Sequence, residues 1–174
     1  MKSKVLLIIV VTLLCISNQS FSQNVKEKRA QADIGVGFFF SESNNGPSLR
    51  VSYGYLFNKS LFLGVGTGAT LYIALKGGTN KAPRIPIFLN SKYSLALSQR
   101  TSFIVGLETG YRFFSKWGNS NYNAFYAMPQ IGVGFKIGKS GKKAINLTAK
   151  YSRDRRSDLR TYENQVGAFL ELSF

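Results

Sequence analysis

Residues 166–174, VGAFLELSF, end the chain on an aromatic ring. Apolar side chains alternate along this segment, with Val166, Leu170 and Phe174 on one face and Glu171 and Ser173 on the other. Such period-two alternation is typical of a β-strand with one apolar face. The last residues of a soluble domain usually form a poorly ordered polar tail. The segment therefore predicts a final strand that belongs to the fold down to its last residue.

The same alternation recurs in seven earlier segments that are separated by turn residues. The eight predicted strands span residues 31–40, 48–57, 60–73, 84–97, 101–114, 122–138, 143–152 and 163–174. Longer and shorter connections alternate between them, so all the short turns fall at one end, as in barrels with short periplasmic turns and longer external loops. An even number of strands brings the last strand back beside the first, and closure removes both edges of the sheet.

The two faces of these strands decide which kind of barrel they form. In segment 101–114, Phe103 and Val105 lie on an apolar face, and Glu108 and Arg112 lie on a face that also carries glycines. A soluble lipocalin-like barrel, which binds lipid inside, needs a charged outer face, and a glycine-rich face makes a poor solvent surface. In a membrane the polar face lies inside, and the outer face must be nearly free of charge, because an outward Lys or Arg at mid-depth costs about 2–4 kcal/mol. The sequence predicts an all-β, eight-stranded antiparallel up-and-down transmembrane β-barrel over residues 31–174, with the soluble barrel as the alternative.

Charged residues on the inward face predict a network inside the barrel. They are Asp33, Arg50, Lys92, Glu108, Arg112, Lys136, Lys150 and Glu171. The acids can pair with the inward cations, and neighbouring glycines leave room for large side chains such as Phe39 and Tyr126. Glu108 and Arg112, four residues apart on one face, form either an interior ion pair, which we favour, or an acid/base pair.

The start of the chain predicts export. Lys2 and Lys4 precede the apolar run 5–16, which is too short to span a bilayer as a helix, and small residues lead to a cleavage site after Ser22. Residues 1–22 are therefore predicted to be a cleaved secretory signal peptide, and residues 23–30 a short periplasmic segment. Cys15, the only cysteine, lies inside the apolar run. We favour a small apolar residue of the signal peptide over a lipoprotein acylation site, because the preceding Leu14 is bulky where such sites need a small residue.

The final strand, GAFLELSF, resembles the C-terminal assembly signal of outer-membrane β-barrel proteins. The chain as a whole resembles the small eight-stranded OmpA/OmpX-type barrels and, more loosely, the "outer membrane protein beta-barrel domain" chains of Bacteroidota, whose signals often end as Ser22-Gln23 does here. The resemblance implies a monomer in the outer membrane of a Gram-negative cell, in contact with lipid and lipopolysaccharide. It also implies that the barrel-insertion machinery recognises Phe174.

The composition excludes most site chemistry. The chain contains no histidine, so a Ser-His-Asp triad, a His-ligated zinc site and a His general base are absent. The barrel enzymes of this membrane use histidine, so the resemblance does not extend to them. The glycines of residues 64–69 match a dinucleotide fingerprint only formally, because that motif needs a following helix and the strand alternation continues here. We therefore expect no enzyme activity, no cofactor and no metal.

The charge is strongly positive, at +15, with 23 basic and 8 acidic residues. The last external loop carries four arginines, Arg153, Arg155, Arg156 and Arg160. Guanidinium groups are well shaped to bind phosphates, so this loop is a candidate contact for lipopolysaccharide; a solvated loop whose charge only limits aggregation is the equal alternative. Nucleic-acid binding is disfavoured, because an exported chain rarely meets nucleic acid.

These features favour a non-enzymatic envelope protein with a structural or surface-interaction role. The alternative is a transport function, in which the barrel is a narrow pore that favours anions. Its lining would be Arg50, Lys92, Arg112, Lys136 and Lys150.

Overall fold

The computed structural model describes residues 28–41, 44–71, 73–74, 83–114, 124–138, 143–155 and 162–174. The strands in these ranges are β1 (Lys28–Phe40), β2 (Asn44–Phe57), β3 (Leu61–Leu71), β4 (Ile73–Ala74), β5 (Pro83–Ala96), β6 (Thr101–Phe114), β7 (Ala124–Ile137), β8 (Lys143–Arg155) and β9 (Tyr162–Ser173). Within the same ranges, no helix is long and apolar enough to cross a membrane. The predicted signal peptide and its cleavage site lie outside the described residues.

Eight of these strands close into a barrel. The hydrogen-bonded order is β1-β9-β8-β7-β6-β5-β3-β2, and β2 pairs back onto β1, with every pairing antiparallel. The two-residue β4 stands outside this ring and pairs only with Asn44 and Asn45 of β2. The ladder between β1 and β9 continues past Ser173, because the backbones of Ala32 and Phe174 exchange two hydrogen bonds of 2.8 and 3.0 Å. The predicted eight-stranded, up-and-down barrel is confirmed.

Some strands are longer than predicted, because the hydrogen-bonded ladder extends beyond the segment in which apolar and polar side chains alternate. β1 begins at Lys28, which pairs with Phe57, so residues 28–30 belong to the barrel wall and not to the predicted periplasmic segment. β2 likewise begins four residues earlier than predicted. The glycines of residues 64–69 lie inside β3, so they form part of the barrel wall and not a nucleotide-binding loop.

Two short turns lie at the same end of the barrel. Between β2 and β3, Asn58 and Lys59 have φ values of 48° and 58°, and the N–H of Ser60 donates to the carbonyl of Phe57 at 3.0 Å. Two consecutive positive φ values define a type I′ turn, whose twist matches that of the flanking strands. Between β5 and β6, the hydroxyl oxygen of Ser98 accepts from the N–H groups of Arg100 and Thr101, at 3.3 and 3.0 Å.

The apolar faces of the strands lie on the outside of the barrel. Val65, Ile87 and Leu89, near the middle of their strands, are 59%, 58% and 62% exposed, whereas Glu108 is 1% exposed. A soluble lipid-binding barrel would have the reverse arrangement, so that alternative is wrong. An apolar outer face around a polar interior is the arrangement that hydrocarbon requires of a barrel.

Glycine is required where the wall meets large inward rings. A Cβ atom added to Gly37 would lie 2.4 Å from the carbonyl oxygen of Ala168 and 2.4 Å from the ring of Phe169. At Gly167, an added Cβ would lie 2.8 Å from the ring of Phe39. The two rings pack edge to face with centroids 5.1 Å apart. Each glycine lies opposite one of the two phenylalanines in the β1–β9 ladder, so the two rings can share a narrow interior.

Candidate functional site

The structure places seven of the eight predicted inward charges inside the barrel. Asp33, Arg50, Lys92, Glu108, Arg112, Lys150 and Glu171 are all buried. The prediction for Lys136 is wrong, because this residue is exposed. In the alternation of β7, Lys136 belongs to the face that points inward. It lies next to Ile137, the last residue of β7, and is therefore at the mouth of the barrel.

Six of these residues form a continuous series of ion pairs, which we call the lumen ion chain. In order, it comprises Asp33, Lys92, Glu171, Lys150, Glu108 and Arg50. Each contact joins an acid to a base, and the three acids balance the three bases. Buried charges are tolerated when they are paired and hydrogen-bonded, so the lumen ion chain can exist inside a membrane-spanning wall.

Both lysines bridge two carboxylates. The ammonium of Lys92 lies 2.5 Å from Asp33 Oδ2 and 3.0 Å from Glu171 Oε2. The ammonium of Lys150 lies 2.7 Å from Glu171 Oε1 and 3.5 Å from Glu108 Oε2. The two oxygens of Glu171 thus contact different lysines, and the carboxylate connects the two halves of the lumen ion chain.

Neutral side chains satisfy further oxygens of the same carboxylates. Tyr126 donates its hydroxyl to Glu108 Oε1 at 2.7 Å, and Gln31 donates from Nε2 to Asp33 Oδ1 at 2.9 Å. Thr148 donates to Glu171 Oε1 at 3.3 Å. With these partners, the buried network draws on every barrel strand except β3.

Glu108 and Arg112 take separate partners. The ion pairs described for Glu108 are with Arg50 and Lys150, whereas Arg112 donates to the hydroxyl of Ser152 at 3.2 Å. The predicted interior pair between the two is therefore wrong in its partners. Four residues along a strand span roughly 13 Å, and long side chains in a narrow lumen reach the opposite wall more easily than their neighbours on the same strand.

An aromatic cluster surrounds the end of the lumen ion chain at Arg50. The cluster consists of Phe39, Phe88, Tyr126, Met128 and Phe169. The guanidinium carbon of Arg50 lies 5.4 Å from the ring centres of Phe39 and Phe88 and 5.7 Å from that of Phe169. These distances fit cation–π contacts. The guanidinium of Arg112 stacks at 4.1 Å on the ring of Tyr126.

A set of amides fills the space beside the lumen ion chain. Gln130 donates to Asn90 at 3.0 Å, and Asn90 donates to the hydroxyl of Ser52 at 3.2 Å. The cavity that remains next to Asn90, Arg50 and Glu108 is about 10 Å³, which is about the minimum space for one water molecule. The lumen is therefore filled by side chains at this level.

The other predicted site residues lie at the ends of the barrel. Arg153 is exposed near the end of β8, Arg155 is the last residue of that strand, and Arg156 and Arg160 lie outside the described residues. The ring of Phe174 is 45% exposed on the outer face, while its backbone is fixed to Ala32.

Each carboxylate of the lumen ion chain contacts at least one buried cation. Among the described residues, no group of His, Cys, Asp and Glu is arranged to hold a metal ion. What the site does chemically is cross-link the wall: it joins six strands through charge-assisted contacts in a closed, water-poor interior.

The apolar exterior, the closed antiparallel wall and the buried ionic interior define the chain as an eight-stranded transmembrane β-barrel. No protein-family model and no curated protein matches it. Among solved structures it resembles Neisserial surface protein A (17% identity, TM-score 0.59, 85% of this chain and 97% of that chain). It also resembles the outer membrane protein AlkL (14%, 0.55, 88% and 92%) and the outer membrane enzyme PagL (15%, 0.50, 83% and 98%). At these identities the likeness is one of fold.

Proposed function

We propose that the protein is a non-enzymatic, integral outer-membrane barrel with a filled lumen, serving envelope structure or surface interaction. The observation that carries the proposal is the lumen ion chain inside an apolar wall. An interior cross-linked by a charge-balanced ion chain suits a barrel that holds its shape and presents loops. The resemblance to outer-membrane barrels of known structure supports the location.

Location and fold are tested together by fractionation and heat-modifiable mobility. The full chain is expressed in a Gram-negative host, and outer membranes are run on SDS gels with and without boiling. We expect the protein in the outer-membrane fraction, with a different mobility in the unboiled lane, because a closed barrel resists SDS until it is heated. Recovery in the aqueous fraction with a single mobility would contradict the proposal.

The non-enzymatic part of the proposal is supported by the sequence and by the lumen. The chain has no histidine, and the buried carboxylates are held in ion pairs with Arg50, Lys92 and Lys150. PagL, an outer membrane enzyme, has the same fold, so the proposal depends on these side chains and not on the architecture.

For the surface interaction, we propose that the end of β8 and the loop that follows it contact phosphates of lipopolysaccharide. The arginines of this segment are Arg153 and Arg155, at the end of β8, and Arg156 and Arg160, beyond it. Planar guanidinium groups bind phosphate oxygens in pairs. Arg153 is exposed near the end of β8 that lies away from the short turns, which supports a position of this cationic segment at that end of the barrel.

Binding of the detergent-purified protein to lipopolysaccharide tests the loop. The variant Arg155→Gln/Arg156→Gln/Arg160→Gln should bind at least about tenfold more weakly, as expected for losing hydrogen bonds to charged groups. The variant Lys76→Gln/Lys81→Gln/Lys116→Gln removes the same charge from other connections at that end. Dephosphorylated lipopolysaccharide should bind both variants and the unmodified protein alike. Equal losses in the two variants would assign the effect to general charge and overturn the loop contact.

A further inference from the structure

The surface charge at the other end of the barrel has no role in the function proposed above. Arg100, in the turn after β5, and Lys136 and Lys143, at the ends of β7 and β8, are all exposed. We call these three residues the turn-side rim. The backbone N–H of Lys136 donates to the carbonyl of Arg100 at 2.8 Å, and Lys143 pairs with Ile137, so the three cations occupy one continuous part of the barrel edge.

The three acidic side chains that the structure describes lie in the lumen and not at this rim. They are Asp33, Glu108 and Glu171, and all three are buried in the lumen ion chain, where they are matched by three other cations. These three carboxylates are therefore engaged away from the rim, whose cations are exposed. A cluster of exposed cations attracts anions from the surroundings.

Neighbouring apolar side chains fix the depth of the rim in the bilayer. Leu97, three residues before Arg100, is 66% exposed, and Phe135 and Ile137, on either side of Lys136, are 49% and 40% exposed. Such side chains belong in hydrocarbon or at its boundary, so the adjoining cations lie at the level of the lipid headgroups. Long basic side chains at this level extend their charge toward phosphates.

We propose that the turn-side rim binds the headgroups of anionic phospholipids in the leaflet at the short-turn end, and so anchors that end of the barrel. The partner chemistry follows from three cations at headgroup depth beside exposed apolar side chains. Each Lys or Arg near an anionic surface changes affinity by about fivefold. The proposal uses the transmembrane fold alone, so it is independent of the lipopolysaccharide contact at the opposite end.

Local lipid enrichment beside the rim tests the proposal. The variant Gln99→Cys, made with Cys15→Ser, carries a fluorophore next to Arg100 and is reconstituted in phosphatidylcholine bilayers. Quenching is compared between trace phosphatidylglycerol and trace phosphatidylcholine that carry the same acyl-chain spin label. We expect phosphatidylglycerol to be enriched at least about fivefold at this position, and the enrichment to decrease in 1 M salt, where screening is strong.

Two charge variants of the labelled protein make the test specific. In Arg100→Gln/Lys136→Gln/Lys143→Gln, enrichment should fall to about one. In Lys76→Gln/Lys81→Gln/Lys116→Gln, which loses the same charge from connections at the other end, it should persist. No enrichment in the unmodified protein, or an equal loss in both variants, would overturn the proposal. Heat-modifiable mobility of each variant confirms that the barrel is folded, and since the rim side chains are exposed, little effect on folding is expected.

Discussion

The ammonium of Lys92, on β5, lies 2.5 Å from the Asp33 carboxylate on β1, across the barrel interior. Two strands, β2 and β3, separate them in the wall, so this contact joins non-adjacent parts of the barrel directly. Lys92 also contacts Glu171 on β9. One side chain therefore connects three strands.

Removing this side chain should destabilise the barrel strongly. Lys92→Met leaves two buried carboxylates short of a cation, and breaking a buried pair in this way costs about 3–5 kcal/mol. The free energy of unfolding in zwitterionic vesicles, measured by urea titration, checks this value. Lys136→Met, an exposed lysine of the same parity, is the control and should change stability by less than about 0.5 kcal/mol. Equal losses in the two variants would show that the lumen ion chain carries no stability.

The filled lumen predicts electrical silence. The cavity beside the lumen ion chain is about 10 Å³, and amides and aromatic rings occupy the rest of that level. In planar bilayers, the protein should therefore give no regular conductance steps under conditions in which a porin control conducts. Steady anion-selective steps would contradict this expectation and would favour the narrow pore lined by the inward arginines and lysines.

The close approach at Gly37 should make this position intolerant of even one methyl group. An added Cβ would lie 2.4 Å from a backbone oxygen of β9, so Gly37→Ala should cost about 3 kcal/mol through overpacking. Gly138 is the matched control, because it has a φ of 75° and open space around its Cα. Asn tolerates that backbone region, so Gly138→Asn should be nearly neutral. The free energy of unfolding of both variants, measured by urea titration, tests these values. If Gly37→Ala leaves it unchanged, β1 and β9 can separate locally.

Substitution of Phe174 should affect assembly in cells but not the stability of the barrel. Its backbone holds β1, but its side chain is 45% exposed and contributes little to packing. Phe174→Ala should refold into synthetic vesicles about as well as the unmodified chain, yet should reach the outer membrane in smaller amounts if the insertion machinery recognises the ring. Phe135→Ala, at 49% exposure, is the control ring and should assemble normally. If both variants assemble equally well, the prediction that the insertion machinery recognises the ring of Phe174 is wrong.

Alternation of side chains was sufficient to predict the wall, because each strand has one inward and one outward face. It therefore identified the inward charges, Asp33 to Glu171, without any knowledge of contacts. It did not reveal their height along the barrel axis, which depends on where each strand ends. Alternation alone therefore predicts that Lys136 lies in the lumen, whereas β7 ends one residue later and the side chain is exposed.

Partner choice inside the lumen was also beyond the sequence. Glu108 contacts Arg50 and Lys150 because strand tilt and register bring β2 and β8 side chains toward it across the interior. The rule that apolar residues lie on the outer face fails for Phe88 and Phe169, whose rings are buried in the lumen. The alternation pattern could have identified these rings, because both residues lie on the same strand face as the inward charges. Gly66 and Gly37 leave the space that the two rings fill.

The pairing of β1 with β9 sets the order of events in biogenesis. The first barrel strand, β1, has β9 as its second neighbour, so the wall cannot close before β9 has been synthesised. Contacts between distant parts of a chain form slowly and leave unpaired strand edges exposed in the meantime. The chain therefore keeps unpaired strand edges until β9 is available, and one pairing, between β1 and β9, completes the barrel.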